Sequence, residues 1–155
     1  MKHNIGQKTL ALAVFALSVA SMVPSAYAQQ CSLAVAAGKY SFSDSGTVVD
    51  VGPRAAVGLL TFDASGKIHG LVIASLNGSV TQTTLSGTYT VNPGCRGTAS
   101  FSELDESKNL ILTASVAIVW DNNMQEARFI FTSIVLADGT PLSTVVNGDA
   151  RKLVP

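Results

Sequence analysis

The sequence predicts an all-β fold, a single antiparallel up-and-down barrel of about eight strands, on three observations. Apolar and polar residues alternate with period two along most runs after residue 38, nearly every run ends in a tight-turn signature, and no stretch carries the period of an amphipathic helix. Sequential antiparallel strands joined by short turns close most economically into a barrel, because closure removes the edges on which other strands add. A β-sandwich is the alternative reading of the same pattern.

The first element of the chain is a leader. Lys2, His3 and Lys8 precede an apolar run at residues 10–23, and Pro24-Ser25-Ala26-Tyr27-Ala28 follows with small residues where signal peptidase reads them. Residues 1–28 are expected to be a cleaved signal peptide and 29–155 a single exported domain, periplasmic or extracellular, with no membrane span after cleavage. An oxidising destination gives the two cysteines, Cys31 and Cys95, a structural reading as a disulfide. A metal or redox pair is disfavoured, because there is no Cys-x-x-Cys spacing and His69 is the sole histidine past the leader. Past residue 28 the charge is about −2 with no run of either sign, which argues against nucleic acid as a partner.

The strands follow in order. Gly38-Lys39-Tyr40-Ser41-Phe42-Ser43 alternates with Tyr40 and Phe42 on one face and stops at Asp44-Ser45-Gly46; residues 47–54, with Gly52-Pro53, read as a loop. The hairpin around which the chain is organised comes next. Gly58-Leu59-Leu60-Thr61-Phe62 and Lys67-Ile68-His69-Gly70 flank Asp63-Ala64-Ser65-Gly66, a turn with a side-chain acceptor first and glycine last. Asn77-Gly78 ends the second of these strands with the strongest two-residue hairpin signal.

Leu85, Gly87, Tyr89 and Val91 then alternate with Ser86, Thr88, Thr90 and Asn92, the cleanest apolar-in, polar-out pattern in the chain. After Asn92-Pro93-Gly94, residues 95–104 form a strand with Gly97, Ala99 and Phe101 on one face, and Glu103, Asp105 and Glu106 are expected in a solvated turn. Strands 110–120 and 127–136 are apolar on both faces, which suggests cover by a partner, a second copy of the chain included, and sets Ile130 and Ile134 opposite Phe129 and Phe131. A last strand within residues 142–153 is expected to break at Asn147-Gly148. Gly58, Gly70, Gly87 and Gly97 sit at strand interiors, where tight coiling calls for them.

Gly38-Lys39-Tyr40, Ala56-Val57-Gly58, Thr61-Phe62-Asp63-Ala64-Ser65-Gly66, Asn77-Gly78 and Gly87-Thr88-Tyr89-Thr90-Val91 followed by Cys95-x-Gly97 resemble a group of small exported bacterial proteins without an assigned activity. Their fold resembles the calycin or allene oxide cyclase type of barrel. The resemblance spans residues 38–101, rests on glycines, turns and core aromatics, and transfers no catalytic residue.

No catalytic residue, cofactor or metal site is expected from the residues themselves. His69 lies mid-strand with no nucleophile or carboxylate at a catalytic spacing, and the acids at 103–106 lack the glycine-centred oxygen pattern of a calcium loop. Tyr40, Phe62, Tyr89, Phe101, Trp120 and Phe129 fall on faces that can point into a barrel, where they either fill it or hold a small apolar ligand. Three functions follow as expectations. The first is a disulfide-stabilised binding or structural module, the second a barrel enzyme of the allene oxide cyclase kind, and the third a surface-assembly component.

Overall fold

Among the described residues, period-two alternation becomes nine strands: β1 Gly38–Val48, β2 Gly52–Phe62, β3 Lys67–Leu76, β4 Ser79–Tyr89, β5 Arg96–Leu104, β6 Leu110–Trp120, β7 Glu126–Leu136, β8 Pro141–Leu142 and β9 Thr144–Lys152. The computed structural model describes residues 31–121 and 123–153; the leader expected at residues 1–28 lies outside them. Strands β1 to β7 pair antiparallel in chain order, and β9 pairs with both β7 and β1, so eight strands close on themselves. The two-residue β8 adds to the end of β7 at Ile134 and Val135. The fold is a closed antiparallel up-and-down barrel.

Closure at this radius bends the strands, and glycines opposite phenylalanines take up the bend. Gly58 is the register partner of Phe42 and Gly148 that of Phe129. A methyl group on Gly58 would meet the Leu71 carbonyl and the Phe42 ring, and one on Gly148 would meet the Ser43 carbonyl and the Phe129 ring. Each ring therefore lies over bare backbone, the arrangement by which an aromatic covers a strand glycine at a coil. Gly87 also pairs with Phe101, but there a methyl group would meet the Ser100 carbonyl and the Phe101 Cα and Cβ, so the close approach is between backbones.

Three elements differ from the reading of the sequence. Residues 47–54 are not a loop: β1 runs to Val48 and β2 starts at Gly52, where glycine supplies a φ of 138° and Pro53 pairs with Thr47 near the strand start. The last strand breaks at Ser143, between β8 and β9, while Asn147 and Gly148 continue the ladder. In β7 the register shifts between Phe131 and Ser133, leaving Thr132 unpaired as a bulge. That extra residue turns Ile134 inward, to the side of Phe129 and Phe131, where it is buried.

One end of the barrel is sealed. Cys31 is joined to Cys95, with 5.0 Å between their Cα atoms, and the chain then enters a single helical turn, α1 Leu33–Ala36, whose Ser32 side chain accepts from the Val35 amide. The Tyr40 hydroxyl lies 2.9 Å from the Ala36 carbonyl and 3.0 Å from the Met124 carbonyl, so its single proton is shared between them. Tyr89 donates to the Asp63 carbonyl at 2.6 Å and approaches that of Leu33. Tyr40, Phe62, Tyr89 and Trp120 meet edge to face or tilted, with ring centroids 4.8–6.5 Å apart. Lys152, near the end of β9, donates to the Val35 carbonyl and latches α1 onto the barrel.

Candidate functional site

The inward face of each strand continues beyond its aromatic residues, and toward the other end of the barrel it turns polar. Along β1 the inward positions are Tyr40, Phe42, Asp44 and, at the strand's end, Val48; along β2 they run from Phe62 and Leu60 through Ala56 to Arg54; along β5 Phe101 is followed by Glu103. Thr83 joins them from β4. All four polar side chains are buried, Asp44 and Glu103 at 4% exposure. This is the hairpin end, bounded by the turns that leave β1, β3 and β5.

The charges are not evenly matched. Arg54 donates through Nε to Asp44 Oδ1 at 3.1 Å and through Nη2 to Oδ2 at 3.2 Å, a two-toothed pair, and its guanidinium lies 5.6 Å from the centre of the Phe131 ring. Glu103 has no such counter-ion among the described residues. Its Oε2 accepts from the Thr83 hydroxyl at 2.9 Å. Burial pushes its carboxyl up from the ordinary glutamate range, Arg54 and the Thr83 hydroxyl pull it down, and Asp44 adds to the rise.

Between this cluster and the sealed end lies an interior cavity of about 40 Å³. Its wall includes Phe42, Phe62, Phe101, Phe129 and Phe131 together with Asp44, Arg54 and Glu103. The space admits a few atoms, far less than the roughly 300–1,000 Å³ of pockets that enclose drug-sized ligands. Most of the barrel is filled by its own side chains.

Of the six aromatic residues expected to line a ligand site, Phe62, Phe101 and Phe129 stand on the cavity wall. Tyr40, Tyr89 and Trp120 belong to the sealed end, where burial raises both tyrosine hydroxyls, that of Tyr89 to about 12. Trp120 Nε1 is buried without an acceptor among the described residues, so the indole serves there as bulk. Phe131, Asp44, Arg54 and Glu103 were missed. One period-two step beyond Phe42 and Phe101 reaches Asp44 and Glu103, and four steps back from Phe62 reach Arg54; only their polarity and the neighbouring turn residues hid them. Glu103 is thus not in a solvated turn, whereas Asp105 is, its carboxylate held below the usual range mainly by the Asn109 side chain and amide.

Outside the barrel, His69 is exposed on β3, across from Thr61 and Ser86. The outer face of β6 and β7 carries exposed Val119 and Ile130, interrupted by Thr113 and Ser133. A larger exposed apolar set, Val57, Leu59, Ile73 and Val80, spans β2 to β4. It borders an open groove of about 680 Å³ over Ser43, Ser45 and Ala55. Among the described residues no cluster of histidine, cysteine or acidic side chains is placed to hold a metal, and no helix is long and apolar enough to cross a membrane.

No family model and no curated protein matches the chain. Solved structures match its fold. EF1p2_mFAP2b, solved bound to DFHBI, superposes with a TM-score of 0.56 at 10% identity, over 77% of this chain and 94% of the other. A redesigned β-barrel superposes with a TM-score of 0.51, also at 10% identity, over 79% of this chain and 96% of the other. At that identity the likeness is one of fold.

Proposed function

We propose that this chain is an exported binding module, cleaved after residue 28, whose 29–155 domain receives a small, largely apolar molecule inside the barrel from the hairpin end. The observation that carries this reading is the pairing of an aromatic chamber with a buried, incompletely compensated carboxyl at Glu103. Buried ionisable groups in an apolar cleft disfavour folding unless something offsets them, and they concentrate at binding and catalytic sites. The superposition on a barrel solved with DFHBI supports the fold's capacity for a small guest. A guest larger than a few atoms requires the phenylalanines of the wall to swing aside. The outer groove, which Asp44, Arg128 and Asp149 also line, is the weaker candidate, because it is open to solvent along its length.

A barrel enzyme of the allene oxide cyclase kind is the second reading, favoured by the same carboxyl: a chamber that confines an apolar intermediate needs few polar groups to steer it. Native mass spectrometry of the protein purified from its host, followed by thermal melts against a panel of small apolar compounds, tests the proposal. A co-purifying mass, or a saturable rise in melting temperature, is the expected result. An empty protein that no compound stabilises would overturn it, and conversion of a stabilising compound would favour the enzyme.

A further inference from the structure

We propose that the polar group of the interior guest is a cationic amine, received by Glu103 and the phenylalanine rings around it. This rests on the interior-binding reading above and assigns the chemistry that the chamber selects.

The sum of charges at the hairpin end points this way. Arg54 is committed to Asp44 through two nitrogens and forms no ion pair with Glu103. With all three groups ionised the chamber carries one uncompensated negative charge, and Asp44 and Arg54 are the charged groups that face Glu103 among the described residues. An anionic guest would have to displace Asp44 from Arg54 and place its own carboxylate near Glu103. A neutral guest leaves the carboxyl as it finds it. A protonated amine supplies the missing charge and donates to the carboxylate while its alkyl body replaces nothing polar.

The rings favour the same sign. Phe101 and Phe131 meet edge to face at 6.3 Å, Phe129 and Phe131 at 6.1 Å, and all three border the cavity with Glu103. Aromatic faces carry negative potential and attract ammonium groups held within about 6 Å. The Arg54 guanidinium over Phe131 already occupies one such position, so the chamber itself holds a cation against a ring. The cavity's small volume of about 40 Å³ restricts the guest to a short alkyl amine, and even that requires the wall phenylalanines to shift.

Calorimetric titration of the processed protein with butylammonium, 1-butanol and butyrate tests this. Butylammonium is expected to bind at least about tenfold tighter than the alcohol, with butyrate weakest. Glu103→Gln should abolish the preference for butylammonium over butanol, bringing the two affinities together. A second readout needs no variant: the Glu103 carboxyl, followed by carbon NMR, should titrate at lower pH with butylammonium bound and stay put with butanol. Equal binding of all three, preference for butyrate, or an ammonium affinity indifferent to the glutamine variant would overturn the amine assignment while leaving an interior site. Failure of every probe, with no co-purifying mass, would overturn the interior site itself.

Discussion

Arg54 and Asp44 each desolvate a charge that the other compensates, so removing either alone strands the partner inside the barrel. Arg54→Met and Asp44→Asn are each expected to lower stability by about 3–5 kcal/mol, while the double variant recovers much of that loss. Urea denaturation of the three variants checks this, and additive losses would refute it. Glu103 behaves in the opposite sense, because its folded carboxyl titrates above the ordinary range. The stability that its neutral form contributes is fully present below the unfolded glutamate range and is lost as pH rises through the raised folded value. Glu103→Gln is therefore expected to be nearest wild type in acid and more stable than wild type at neutral pH. The difference in urea midpoint should grow across that window. At this scale the sequence was half legible: alternation placed Phe42, Phe62 and Phe101 inside, and the same alternation reaches Asp44, Arg54 and Glu103. They were passed over because charged residues beside glycine and turn residues read as solvent-facing, and only pairing across strands reveals that their neighbours enclose them.

The strands themselves were more legible than their ends. Asn77-Gly78 forms the hairpin its letters announce, with φ of 49° and 86°. Gly52-Pro53 reads as a breaker yet opens β2, since a proline at the start of a strand costs the ladder little. The bulge at Thr132 left no mark in the sequence. An unpaired residue is a property of two strands held in register, and neither strand alone encodes it. The glycines separate two physical effects. Gly58→Ala places a methyl against the Leu71 carbonyl and the Phe42 ring and is expected to cost about 1–3 kcal/mol through overpacking. Gly78→Ala has open space around it and is expected to lose about 1 kcal/mol through its left-handed backbone alone. Combining Gly58→Ala with Phe42→Leu should recover part of the first loss and none of the second.

Across the whole molecule, the disulfide ties the start of the described chain to the turn before β5, across a sequence separation of 64 residues. On the chain-entropy account it contributes about 4 kcal/mol by restricting the unfolded state. A Cys31→Ala, Cys95→Ala variant should unfold at correspondingly lower denaturant, and because Cys31 anchors α1, limited proteolysis should cut first near residue 37. Uniform resistance to protease in that variant would mean that Tyr40 and Lys152 hold the sealed end unaided. The fold class and the strand count were readable in advance because they follow from patterns a few residues long, and the cysteine pair because the sequence holds two cysteines and no more. Which end of the barrel is filled and which carries charge was not, because that depends on how eight strands stagger together.

The seam between β1 and β9 carries a consequence of another kind. Every other wall of the barrel joins strands close along the chain, but Tyr40 meets Lys152 and Val48 meets Thr144, so the ring has nothing to close on until its ninth strand arrives. Until then, β1 and β7 each present a bare edge to whatever surrounds them. Joining such distant segments makes the search slow, and the seam sets the time during which a newly made chain must be kept from its neighbours.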